Sequence, residues 1–168
     1  IAGPRHGRAK ERGQDANQAV ELTDCDGERV LVVAVGDGAG SAKHAERGAR
    51  LAVSSLLECA ALLLRITPLR AMTSGWIRDL LHETRLRLLD AAGDAPADYS
   101  TTLQFALLGR DRQWLCQIGD GAIAFRTEEG RWRLLGTPQN IEFANVTRFV
   151  VDADAAMQAQ TRFLTGVT

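Results

Sequence analysis

The stretch Val32-Val33-Ala34-Val35-Gly36-Asp37-Gly38-Ala39-Gly40-Ser41 constrains this chain most. The apolar residues Val30 to Ala34 lead into a Gly-Asp-Gly turn, and the pattern beyond Ser41 is helical. An unbroken apolar run of this kind predicts a buried strand rather than a half-exposed one. A carboxylate at its end, flanked by residues without a Cβ, leaves the backbone open on both sides. That suits a hard cation, which takes carboxylate and carbonyl oxygens together. The phrase returns as Trp114-Leu115-Cys116-Gln117-Ile118-Gly119-Asp120-Gly121. One Asp-Gly is ordinary turn chemistry, in which the carboxylate bonds its own backbone. Two, each ending an apolar strand, predict that Asp37 and Asp120 converge on one site.

The rest of the chain supplies the frame. Val20 and Leu22 alternate with Glu21 and Thr23, so Gln18 to Thr23 is predicted as a strand that pairs with Arg29 to Val35 across the turn Asp24-Cys25-Asp26-Gly27-Glu28. From Ser41, a plausible N-cap, apolar residues recur at three- and four-residue spacing through Leu64, and Pro68 closes the helix. A second helix starts at Thr73 or Ser74, with Trp76, Ile77, Leu80, Leu81, Thr84 and Leu88 as its apolar face. Gly93, Asp94 and Pro96 end it. Four short strands follow at Thr101 to Leu108, Trp114 to Ile118, Ala122 to Arg126 and Arg131 to Leu135, a meander by loop length. Pro138 to Val146 reads as loop and Thr147 to Val151 as a further strand, with Asp152 and Asp154 in a polar loop. Strands, two helices, then strands predict an α+β fold with helices gathered on an antiparallel sheet.

Composition narrows the function classes. At 168 residues, 45% apolar and 24% charged, the chain is the size and polarity of one globular domain. A net charge of −1 argues against a general nucleic-acid partner. Cys25, Cys59 and Cys116 are odd in number and form no CxxC pair, which predicts reduced thiols and, with no leader-like start and no bilayer-length apolar run, a cytoplasmic protein without a membrane partner. The glycines around Asp37 follow neither G-x-G-x-x-G nor the Walker pattern, so dinucleotide or nucleoside-triphosphate binding ranks low. G-x-S-x-G and H-E-x-x-H are absent as well. His82 lies mid-helix beside Glu83; His44, near the Asp37 corner, and His6, in the basic leader, are the histidines placed to donate a proton.

Taken in order, Gln14-Asp15-Ala16, Val35 to Lys43, Thr101-Thr102-Leu103 and Ile118 to Ile123 resemble the motifs of the metal-dependent protein phosphatase 2C family, in its bacterial branch. Pro138-Gln139 and Phe143 to Thr147 add to the likeness, which runs from about His6 to Phe149. The resemblance implies an antiparallel β-sandwich flanked by helices, a four-layer αββα arrangement. It also implies two Mg²⁺ or Mn²⁺ ions whose bridging water hydrolyses phosphoserine or phosphothreonine in a protein, opposing a Ser/Thr kinase. On this reading Asp37 bridges the metals, Gly38 offers its carbonyl, and Asp15 acts on the second metal directly or through a water. Asp120 helps bind a third, more weakly held ion.

The departures from the family pattern are specific. Gln14 stands where a Glu is common, removing a charge. The substrate-gripping arginine is replaced by Lys10, with Arg8 and Arg12 beside it, and lysine lacks the bidentate fork. Ala39 stands where many relatives have a proton-donating His, leaving His6 or His44 to substitute. The family's two late aspartate motifs have no counterpart before Thr168, so a C-terminally truncated phosphatase domain with weak metal binding and little activity is expected. The alternative is a non-catalytic, phosphatase-like regulatory or binding module.

Overall fold

The computed structural model describes residues 13–127, 129–135 and 147–165. Strands β1 (Asp15–Thr23) and β2 (Arg29–Asp37) form the predicted hairpin, with Asp15 opposite Asp37 and Thr23 opposite Arg29. Its distal turn is fastened by Asp24, whose buried carboxylate accepts the backbone N–H groups of Asp26, Glu28 and Leu69, each at 2.9 Å. Side chains in β2 alternate by the two-residue pleat. Val30, Val32 and Ala34 are buried, whereas Leu31 and Val35 are 40% and 41% exposed. The apolar run is thus a strand, but a half-exposed one, because among the described residues the helices cover only one face of it.

Helix α1 (Ala45–Leu64) packs on β1 and β2. Ala49, Ala52, Val53, Leu56, Ala60 and Leu64 form its buried stripe, as the spacing predicts. It starts four residues after Ser41. His44 is its N-cap, without a side-chain cap bond, because residues 41–44 are drawn into turns. Ala42 N–H bonds the carbonyl of Ala39 and His44 N–H bonds that of Asp98. Helix α2 (Ser74–Ala92) lies against α1, is capped by Thr73 and stops at Gly93, whose φ of 58° only a glycine adopts readily. Its predicted face is buried except for Trp76, which is exposed.

Strands β3 (Leu103–Leu108) and β4 (Arg112–Ile118) form the next hairpin. The meander then breaks: β5 (Ala124–Arg126) and β6 (Trp132–Leu134) pair with each other as a separate two-stranded sheet. A short helix, α3 (Ala155–Gln158), precedes β7 (Gln160–Thr165), which pairs with β4 and gives a five-stranded antiparallel sheet ordered β1-β2-β3-β4-β7. The expected strand at Thr147 to Val151 is not one. These residues are coil and turn, since β7 takes the open edge of β4 and Val150 N–H instead bonds the carbonyl of Thr101. Asp152 and Asp154 do lie in turns, where Asp152 accepts Phe149 N–H and Asp154, just ahead of α3, accepts from the Gln158 side-chain amide. The expectations for Pro138 to Val146, Glu128, His6, Arg8, Lys10 and Arg12 lie outside the described residues.

The core fills the space between the helices and the inner face of the sheet, centred on Val32, Leu56, Leu81, Leu103, Phe105 and Ile118. On the other face, the β5–β6 pair meets β4 and β7 where Ile123 N–H donates to Gln117 Oε1 and the Arg162 guanidinium lies 6.0 Å from the Phe125 ring centre. The α+β expectation, an antiparallel sheet with helices layered on it, is what the chain adopts. Of the helices, no described one is long and apolar enough to cross a membrane.

Candidate functional site

Asp37 ends β2 at a corner held from outside the turn. Its N–H donates to Thr102 Oγ1 (3.2 Å), and its carbonyl accepts from Thr101 Oγ1 (3.0 Å) and Thr102 N–H (2.9 Å). Gly38 N–H donates to the Gln14 carbonyl (3.2 Å) and Ala39 N–H to that of Ser100 (2.9 Å). The three amides at the corner are therefore engaged by other elements. Gly38 also packs closely against the start of α1. A Cβ there would lie 2.5 Å from the Ala45 carbonyl oxygen, so any other residue would force corner and helix apart.

The second corner meets the first through Thr102. Gly119, at φ 109°, sits against this residue: a Cβ on Gly119 would lie 2.7 Å from Thr102 Cβ. Thr102 is 4% exposed; it takes the Asp37 amide on its hydroxyl and packs the Gly119 turn against its carbon atoms. Asp120 follows, exposed, with Oδ2 accepting a hydrogen bond from Thr147 Oγ1 at 3.2 Å. Asp37, Gly38 and Asp120 then line one open cleft of about 310 Å³ together with Gln14, Thr102 and Thr147. Two aspartates far apart in the chain converge as their paired turns predict.

The other expected residues are placed as follows. Asp15 faces Asp37 across the β1–β2 ladder but lines the adjoining cleft along α1. His44 lies in a third cleft that shares Gln14 with the first. Its ring is tilted over Tyr99 at 5.1 Å between centroids, so it neighbours Asp37 and Asp120 without lining their cleft. His82 is exposed on α2, as expected. Thr101 and Thr102 are the functional residues that pattern reasoning did not assign a role. Their signal was a pair of β-branched hydroxyls just ahead of an apolar strand.

Asp37, Asp15, Asp120 and the Gly38 carbonyl make an all-oxygen donor set, which fits a hard divalent cation in kind. Among the described residues no group of three His, Cys, Asp or Glu side chains comes together to hold a metal.

A family described as Protein phosphatase 2C matches residues 2–168. Serine/threonine-protein phosphatase 3 of Escherichia coli (strain K12) is 30% identical over 156 residues, 91% of this chain and 61% of that protein. The chain thus spans about three fifths of that curated relative. Among solved structures, the serine/threonine phosphatase Stp1 from Staphylococcus aureus superposes with a TM-score of 0.67 at 14% identity, covering 98% of this chain and 68% of Stp1. The S. agalactiae serine/threonine phosphatase gives 0.59 at 14% identity, with 92% and 69% covered. These two likenesses speak to fold, and the family match extends over nearly every residue. Fold, the order of the two aspartyl corners and the family match agree: the chain belongs to the protein phosphatase 2C family.

Proposed function

We propose that the protein of which this chain forms the phosphatase domain hydrolyses phosphoserine and phosphothreonine in proteins at the Asp37–Asp120 cleft. The observation that carries the reading is the convergence of Asp37, Gly38 and Asp120 on one cleft, with Asp15 across the ladder from Asp37. Asp37, Asp15 and the Gly38 carbonyl would hold two Mg²⁺ or Mn²⁺ ions, and Asp120 a third, weaker one. Such ions supply an activated water and offset charge on the phosphoryl oxygens. The chain's own contribution is positioning. Thr101 and Thr102 fix the backbone on either side of the Asp37 peptide, so its carboxylate starts from a rigid strand end. Lys10, Arg8 and Arg12 are the residues assigned to the substrate phosphate, and His6 or His44 to proton donation.

The alternative, a non-catalytic phosphatase-like module, draws on Gln14, Lys10 and Ala39 and on the partial donor set. Asp37→Asn separates the two. In an enzyme it removes a bridging charge, and manganese-dependent turnover of p-nitrophenyl phosphate should fall by at least 10²-fold. Wild-type turnover in the variant, or no turnover in either form with partner binding intact, refutes the catalytic reading.

A further inference from the structure

The clefts around the Asp37 corner form a connected series. The corner cleft shares Gln14 with a neighbour of about 270 Å³ lined by Lys43, His44 and Arg47. That neighbour shares Arg47 with a larger one, about 540 Å³, lined by Arg50 of α1 and by Asp15, Asn17 and Gln18 of β1. Arg47 and Arg50 are three residues apart on the first turns of α1, and Lys43, in the turn ahead of the helix, lines the same cleft as Arg47. All three are exposed. Among the described residues Lys43 and Arg47 make no ion pair; Arg47 lies 5.7 Å from the Tyr99 ring centre, and Arg50 holds Glu46 at 3.0 Å. Glu46 and Asp15 are the carboxylates lining these two clefts, and Asp15 is assigned above to the metals.

We propose that this strip of Lys43, Arg47 and Arg50 is a docking groove for acidic side chains flanking the phosphorylated residue of the substrate. The inference rests on the phosphatase reading, and it names the substrate class: phosphoserine or phosphothreonine within an acidic segment. A peptide with its phosphate at the Asp37 corner reaches the strip through the shared Gln14 and Arg47 walls. Lys43 and Arg47, without a carboxylate partner among the described residues, are what acidic residues complement, and Arg50, already engaged by Glu46, adds to the positive field beside them. An acidic polypeptide is favoured over nucleic acid by the side chains that line the two clefts. Among the described residues no Phe, Tyr or Trp lines either cleft to stack a base.

The test uses fluorescein-labelled phosphoserine peptides that differ only in flanks, either glutamates or alanines, read by anisotropy at low salt with manganese present. The full-length protein should bind the glutamate-flanked peptide about fivefold more tightly, the scale of two or three exposed charge pairs. That preference should shrink when salt is raised past the screening range. Lys43→Glu with Arg50→Glu should abolish or reverse the preference, and circular dichroism checks that the exposed substitutions leave the fold intact. Arg47→Gln serves as a milder second variant. Equal binding of both peptides by the wild type, or an unaltered preference in the variants, overturns the proposal. So does binding of a single-stranded oligonucleotide as tight as that of the acidic peptide. Turnover of p-nitrophenyl phosphate is measured alongside. Turnover without flank preference sinks the groove and leaves the phosphatase reading standing. Flank preference without turnover sinks the phosphatase reading and leaves the groove as the binding surface of a non-catalytic module.

Discussion

Replacing Gly38 by alanine adds one methyl group where the corner meets the backbone of α1. The new Cβ would lie 2.5 Å from the Ala45 carbonyl oxygen, 2.7 Å from its carbon and 2.9 Å from Ala45 Cβ. Ordinary contact begins near 3.4 Å, so corner and helix must part by about 0.9 Å. Neither side yields freely. The helix start is tied by His44 N–H to Asp98 and by Gly48 N–H to His44, while the corner is tied to Gln14, Ser100, Thr101 and Thr102. Overpacking against fixed backbone costs about 1–3 kcal/mol. For a domain of this size that is a loss of roughly 2–12 °C in melting temperature. A shift of this order at a catalytic group also costs about 10²-fold in rate. Gly75→Ala, on the exposed first turn of α2, meets only Thr73 Oγ1 at 3.4 Å, and it should stabilise by about 0.5–1 kcal/mol. Urea melts followed by circular dichroism, with manganese-dependent phosphatase assays, measure both effects. A Gly38→Ala protein as stable and as active as wild type would refute the steric argument.

Asp24 offers a second test. Burial pushes its carboxyl pKa up, but three backbone N–H bonds and the nearby Arg70 outweigh that and hold it below the ordinary carboxylate value. Asp24→Asn puts an amide donor against one of those N–H groups and should cost about 2–3 kcal/mol at neutral pH. Because the folded pKa is the lower one, this contribution is full above the unfolded value near 4 and fades as pH falls through the folded value. Parallel melts of wild type and variant should therefore converge below about pH 4; a gap unchanged to pH 2 contradicts the assignment. The thiols give a third. Burial raises the pKa of both Cys59 and Cys116, while Cys25 is exposed. Ellman's reagent should label one thiol quickly in the native chain and all three only after unfolding. Fast loss of two or more would show that the core is open.

How much of this was legible in the sequence depends on where each residue's partners lie. The hairpin, both long helices and the Gly93 stop follow from short-range pattern and turn chemistry, and the structure repeats them. The start of α1 does not: Ser41 has the right side chain, but the chain there is committed to Asp98 and Ser100, more than fifty residues away. Trp76 was counted into the α2 stripe on spacing alone and faces solvent. The edge of β4 went to Gln160–Thr165, whose adjacent Phe163 and Leu164 give no alternating apolar signal, because its pairing with an established strand supplies what composition does not. At the site, the two aspartates were visible because Gly-Asp-Gly repeats. Thr102 was not, since nothing local says that one threonine touches both corners.

The β1–β2 register has a further consequence. The alignment that turns Val30, Val32 and Ala34 inward is the same one that sets Asp15 opposite Asp37. A slip by one position would expose the whole buried row in the act of parting the two acids. A hairpin that drifts therefore unfolds before it can persist as an inert domain. Inactive yet well-folded descendants of this chain should accordingly arise by replacement of the acids themselves, with the strand pairing intact.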